Sequence, residues 1–273
     1  MFVFHKQTVF EIHQKTHLEE KTIHKYLKEY AVKEKEDHKP RPINLIIDTT
    51  YFGKRLDGTS WGLMLFRDQK NQENLWWKYV GTETSDGYKE GRNFLENIGY
   101  TILSVTCDGF KGNIAVFKDI PIQICLFHMK RMIIRGTTLK PKTEAGQVLL
   151  AIAQTLTYTT EEELGLRVKK FYFKYQDFLK EKTIHPDGRS TPTHEGVMNA
   201  YNSLIYWYKY LFTFHRDRNI PSTTNSCEGH FSHVKDILRI HRGMSFPFKR
   251  KVLNSIMLAS TISPHRKKKD VQK

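Results

Sequence analysis

The sequence predicts a mixed α/β core with a helical segment set into its second half. Three patterns point to that class. Apolar runs short enough for strands follow one another at 43–47, 61–66 and 74–80. Helix-like and strand-like runs then alternate as far as residue 126, and from about 130 to 218 apolar residues recur every third or fourth position. With 39% apolar and 12% aromatic residues in 273, the chain can build a core, which excludes a mostly disordered protein. No stretch approaches the ~20 continuous apolar residues of a membrane span, so no membrane partner is expected.

The first thirty residues read as two short helices. Val9 and Ile12 mark one apolar face, Leu18 falls in a turn, and Ile23, Tyr26 and Leu27 mark a second face. The second helix looks like the recognition half of a helix-turn-helix, with Lys21, His24, Lys25 and Lys28 available to phosphates or base edges. A plain amphipathic hairpin packed on the main domain is the alternative. Residues 1–38 are read as this helix-turn-helix-like DNA-binding segment, and the charged stretch 32–42, ending in two prolines, as a linker.

Ile43-Asn44-Leu45-Ile46-Ile47 is a buried-strand run expected to end at Asp48. Trp61–Phe66 and Asn74–Val80 follow as strands, 86–98 as a helix, Thr101–Thr106 as a strand ending at Asp108, and Pro121–Leu126 as a fifth strand. Three strands in succession, then helix, strand, helix, strand, is the order of an RNase H-like fold. Further on, Leu164, Val168, Phe171, Tyr175 and Phe178 give a helix, and Val197 to Phe214 another. Tyr206-Trp207-Tyr208-Lys209-Tyr210 has the look of a base-stacking platform, but core packing between helices is the better reading. Thr223 to Ser226 are residues suited to capping a last helix that runs to Ile240. The expected organisation is a core over 43–135, an all-helical insertion over 136–218, the final helical part of the core over 219–262 and a basic tail over 263–273.

Charge points to the partner. The formal net charge is +15, and Gly229 to Lys273 holds eleven Lys and Arg against Asp236 and Asp270, or +9 of it. A field so concentrated suits a polyanion, and nucleic acid is the usual one. Three scattered cysteines (Cys107, Cys125, Cys227) do not make a disulfide framework, so a reducing, cytoplasmic setting is expected, nucleoid-associated in a bacterium.

Two aspartates close separate predicted strands, Asp48 and Asp108, and Glu228 opens a late helix. Carboxylates converging from different elements are what two-metal phosphodiester chemistry needs, and hard oxygen donors select two Mg²⁺ or Mn²⁺ ions. Three acids chosen from 29 would be a weak signal. Their surroundings strengthen it: Asp108-Gly109 is followed by Cys125-Leu126-Phe127-His128, a C-x2-H, and Glu228 closes Thr224-Asn225-Ser226-Cys227-Glu228, a T-N-x-x-E.

This combination, spanning about 43–245, resembles the Mutator-like superfamily of DDE transposases and related bacterial insertion-sequence enzymes. The resemblance implies an RNase H-like catalytic core with an all-helical insertion before the Glu. It also implies Mg²⁺-dependent cleavage of element ends and strand transfer into target DNA, with Asp48, Asp108 and Glu228 as catalytic, metal-binding triad. Its partners would be double-stranded DNA, as terminal inverted repeats and target, and a second copy of the chain once on DNA. Cys125, His128 and Asn225 would orient carboxylates or position a phosphate, although His128 also reads as a packing histidine. Two C-x2-H pairs, Cys125/His128 and Cys227/His230, offer a weaker alternative as four zinc ligands. Lys130 and Arg131, with Arg135, are candidate phosphate contacts, as are Lys235 and Arg239, which return near the Glu228 face of a helix. Transposases of this superfamily carry more sequence before the core, so a truncated or domesticated copy that only binds DNA is the competing reading, and a nuclease on the same fold is a third.

Overall fold

The structure, a computed structural model, describes residues 2, 7–30, 35–53, 58–240 and 243–262. The basic tail expected at 263–273 lies outside the described residues. In chain order the elements are α1 (Val9–Thr16), α2 (Glu20–Glu29), β1 (Pro42–Phe52), β2 (Trp61–Asp68), β3 (Glu73–Val80), α3 (Ser85–Asn97), β4 (Thr101–Cys107), α4 (Gly112–Val116) and β5 (Ile122–Ile124). There follow α5 (Leu126–Thr137), α6 (Glu144–Gln154), α7 (Glu161–Lys180), β6 (Lys182–Ile184), β7 (Ser190–Pro192), α8 (Glu195–Trp207), α9 (Asn225–Ile240) and α10 (Phe246–Ile262). The fold is α/β, and β1 to β5 make a mixed five-stranded sheet. By its contacts the chain divides into two compact units, Met1–Thr101 with Asn225–Lys273, and Ile102–Thr224.

In the first unit β1, β2 and β3 form an antiparallel meander. Residues directly opposite each other share a face, so Ile46, Asp48 and Thr50 lie with Arg67, Leu65 and Leu63. Ile46, Leu63 and Leu65 belong to one buried cluster with Cys227, Phe231, Val234 and Ile237 of α9 and Leu253 and Ile256 of α10. Fully burying each such side chain is worth about 1.5–3 kcal/mol, which is why α9 and α10 cover this face. The opposite face meets α3, where Thr49 Oγ1 lies 3.0 Å from the Tyr88 hydroxyl. The two N-terminal helices join the first cluster through Ile12 and Ile23. A Thr8–Glu11 capping box starts α1 and a left-handed His17 ends it.

In the second unit β4 and β5 pair in parallel, Val105 opposite Ile122 and Cys107 opposite Ile124. Helices α5 to α8 follow, built on buried Met129, Ile133, Leu149, Leu164, Phe171 and Leu204. The 136–218 segment is not all helix. The pair β6–β7 closes a short hairpin around Pro186-Asp187-Gly188, with Gly188 at φ +78°. Pro, Asp and Gly suit such a turn, and β-branched Thr183, Ile184 and Thr191 suit its arms. Among the described residues no helix is long and apolar enough to cross a membrane.

The helix that carries the C-x2-H motif is held by a backbone-to-backbone approach. A Cβ added at Gly136 of α5 would sit 2.2 Å from the Gly196 carbonyl oxygen, and one at Gly196 of α8 would sit 2.5 Å from the Gly136 carbonyl oxygen. Backbone cannot yield as a flexible side chain does. Gly136→Ala is therefore expected to lower stability by about 3 kcal/mol through forced separation of α5 and α8, measured by urea denaturation.

Candidate functional site

Asp48 does not end its strand. Thr49, Thr50, Tyr51 and Phe52 continue β1 because β-branched and aromatic side chains fit a pleated surface, and they pair with Trp61 to Met64. Asp48 thus lies mid-strand, opposite Leu65, on the face that α9 covers, and is only 7% exposed. The Thr49 N–H donates to its Oδ1 at 2.9 Å. Glu228 stands half-buried in the first turn of α9, where the helix dipole favours an acid. Both carboxylates belong to the first unit.

Beneath the start of α9 lies a buried polar network that sequence reasoning missed. Arg67, 6% exposed, donates through Nε to Ser226 Oγ at 2.9 Å and through a guanidinium nitrogen to Asn74 Oδ1. Ser226 Oγ donates in turn to Gln72 Oε1 at 2.6 Å. Asn74, fully buried, donates from Nδ2 to His230 Nε2 at 3.1 Å and to the Met257 carbonyl at 3.2 Å. Burial lowers the Arg67 pKa from the usual value, and the charges of Cys227 and Asp68 oppose that shift. The only sequence signal was a cation and an amide inside otherwise apolar strands.

In the second unit, Asp108 is the first residue past β4, half-buried, and its Oδ1 accepts the Phe110 N–H at 3.0 Å. The C-x2-H motif opens α5. Cys125 is fully buried and receives two hydrogen bonds from Thr224, from N–H at 3.3 Å and from Oγ1 at 3.4 Å. The same hydroxyl lies 3.4 Å from His128 Nδ1, and the Leu126 N–H donates to the Ser222 carbonyl at 3.0 Å. Burial raises the Cys125 pKa, but hydrogen bonds from His128 and Thr224 and the proximity of His128 outweigh it, leaving the thiol below its usual value. The C-x2-H and the Thr of T-N-x-x-E are therefore one cluster, whereas Asn225 is solvent-exposed.

The candidate DNA contacts sit on helix surfaces. Lys21, Lys25 and Lys28 are exposed on α2, opposite Ile23; Lys25 pairs with Glu29 at 4.0 Å, too exposed a pair to immobilise it. On α5 Lys130 is half-buried, and exposed Arg131 stacks over Phe127 at 5.9 Å. Lys235 and Arg239 are exposed on α9. The aromatic stripe is divided: Trp207 is buried, the Tyr208 hydroxyl donates to the Glu161 carbonyl, and Tyr206 remains 47% exposed beneath Lys111.

No known family profile and no curated protein matches the sequence. Solved structures are similar at a distance. The chain aligns with the Drosophila P element transposase strand transfer complex at a TM-score of 0.39 and 12% identity, over 89% of this chain and 86% of that one. That likeness is too loose to assign a fold family or an activity.

Three carboxylates are the donor chemistry that Mg²⁺ or Mn²⁺ takes. Among the described residues, no group of three or more His, Cys, Asp or Glu is placed to hold a metal ion. The imidazole of His230 is instead engaged with Asn74 and, at 3.3 Å, with Met257 Sδ.

Two outcomes are expected. Asn74→Ala removes the acceptor of Arg67 and the donor to His230, and should cost about 3 kcal/mol in chemical denaturation. Cys125 has its folded-state pKa below the unfolded one, so its contribution is complete above the unfolded value and fades as pH falls through the folded one. The stability gap between wild type and Cys125→Ser should accordingly widen from pH 6 towards pH 9, read by urea denaturation at each pH.

Proposed function

We propose that the chain is a DNA transposase that cuts element ends and joins them to target DNA by two-metal-ion phosphoryl transfer. The observation that carries this reading is the meeting of two motifs. The C-x2-H at 125–128 and the Thr of T-N-x-x-E, nearly 100 residues apart, are hydrogen-bonded to each other, as parts of one catalytic assembly would be. The order of elements, three antiparallel strands then helix and strand in alternation, also agrees with an RNase H-like core.

Asp48, Asp108 and Glu228 are the side chains that would hold Mg²⁺ or Mn²⁺. Divalent ions bound there supply activation of the attacking oxygen and stabilisation of the leaving oxygen. In cleavage, a water oxygen bonds to phosphorus at the element end while the P–O3′ bond breaks, and the leaving oxygen takes a proton to become a free 3′-hydroxyl. In joining, the oxygen of that hydroxyl bonds to a target phosphorus, whose own P–O3′ bond breaks, and the proton it loses is balanced by one gained on the leaving 3′ oxygen. Cys125, His128 and Asn225 act by position. Cys125 and His128 hold Thr224, and Arg67 with Ser226 holds the first turn of α9, which carries Glu228. Lys130, Arg131, Lys235 and Arg239 would neutralise phosphates near the acids, and Lys21, Lys25 and Lys28 would hold duplex further out. Handling two element ends requires two copies of the chain, so a homo-oligomer on DNA belongs to the proposal.

A second reading is a remnant that binds DNA without cutting it. The observation in its favour is that Asp48 is only 7% exposed, mid-strand on a face that α9 covers, where a phosphate has little access. The two readings separate in a nicking and joining assay on a labelled duplex carrying the element's ends, with Mn²⁺ or Mg²⁺. An active enzyme gives metal-dependent products that Asp48→Asn, Asp108→Asn and Glu228→Gln each abolish while leaving duplex binding in place. Binding without products in wild type would leave the remnant.

A further inference from the structure

Beyond the three acids, α9 borders a second feature in the first unit. An open cavity of about 680 Å³ lies between the β1–β2 end and the helices α9 and α10, within the ~300–1,000 Å³ typical of ligand pockets. Its aromatic side is Phe52 stacked on Trp61, with ring centroids 4.4 Å apart and 21° between planes, and Phe246 set edge-on to Trp61 at 5.3 Å. Its charged side is Lys235 and Arg239 of α9 and Lys249 of α10. Among the described residues that line it there is no carboxylate.

We propose that this cavity binds an unpaired nucleotide of a DNA strand, the base on the aromatic rings and the flanking phosphates on Lys235, Arg239 and Lys249. Every base has a face that stacks on an aromatic ring, and a backbone-tracking set of cations beside such rings is the chemistry of single-strand binding. The rings are available: Phe246 is 46% exposed and Trp61 half-buried. So are the cations. Lys235 lies over Phe52 at 5.9 Å, and the Arg239 pair with Asp236, 3.4 Å long, is a solvent-exposed i,i+3 pair that a phosphate can displace. In duplex DNA the base faces are covered by their neighbours, so the pocket discriminates in favour of melted or terminal nucleotides. At 1.5 Å of rise per residue, Lys235 and Arg239 lie about 10 and 16 Å along α9 from Glu228. That corresponds to roughly three to five nucleotide steps of ~3.4 Å. Use of the pocket to hold a frayed end beside the acids rests on the function proposed above; the binding itself does not.

The test is fluorescence anisotropy of a labelled thymidine oligonucleotide and of a duplex of equal length, both in EDTA so that cleavage plays no part. Phe246→Ala should weaken the single strand about 5- to 150-fold, the equivalent of ~1–3 kcal/mol per stacked base, and the duplex less than twofold. The Lys235→Ala/Arg239→Ala double variant should reduce the single-strand salt slope by about 1.4. Lys169→Ala, on the exposed face of α7, should change neither. The unlabelled strand should also quench tryptophan emission in wild type, and much less in Trp61→Phe, which retains a ring and guards against a folding defect. Absence of single-strand binding, equal losses on strand and duplex, or unchanged quenching in Trp61→Phe would each overturn the proposal. None of these results depends on whether the acids cut DNA, so a catalytically dead chain that passes would retain the pocket and lose the transposase reading alone.

Discussion

Arg67 places a cation in the interior of the first unit, and much of the arrangement there follows from satisfying it. Its immediate partners are neutral, Ser226 on α9 and Asn74 on β3. A buried charge held this way still carries an effective desolvation cost of several kcal/mol. Each partner must therefore stay where it is. Asn74 is held by His230 and the backbone of Met257, and Ser226 by Gln72. Directional bonds consequently join β2, β3, the 69–72 turn, α9 and α10, where apolar contact alone would let the helices slide. The network fixes the register of α9 against the sheet, and with it the direction in which Glu228 points.

Asp48 illustrates the same constraint from the sheet side. Its neighbours on the face, Leu63, Leu65 and Ile46, are completely buried, and a carboxylate in such company needs donors of its own. One is the Thr49 N–H. A side chain this costly in a strand that would otherwise run apolar is hard to rationalise by packing. Asp68, also buried, is met by Arg41 at 2.6 Å and by Asn71, within the ion cluster that ties the 35–41 segment to β2 and β3.

The parts of this fold that were legible in the sequence are those set by local pattern. Trp61–Phe66, Asn74–Val80 and Thr101–Thr106 lie within strands because apolar runs of that length are rarely anything else, α7 followed from 3.6-residue periodicity, and α9 from the capping residues before it. The end of β1 was misjudged because the apolar run stops at Ile47, while Thr49 to Phe52 hold the strand by β-propensity and cross-strand pairing. The β6–β7 hairpin was hidden by its exposure, since arms such as Lys182-Thr183-Ile184 show no buried alternation. Partnerships across long separations were not legible at all. Nothing local tells Arg67 from a surface cation, or says that Phe246 meets Trp61, 185 residues earlier. The lysines of α2 could be read in advance because a helix face needs only spacing.

The short path from Thr224 to Glu228 is anchored separately within each unit. Thr224 is fixed inside the second unit by Cys125 and His128, and Ser226 is fixed inside the first by Arg67 and Gln72. Only Asn225 separates the two anchors, and it is exposed. Helix α9 begins at Asn225, one residue before the Ser226 anchor. Hydroxyl side chains suit both anchors, being small, able to donate and accept, and tolerant of burial when paired. Loss of the Ser226 anchor would release the first turn of α9 without touching Glu228 itself.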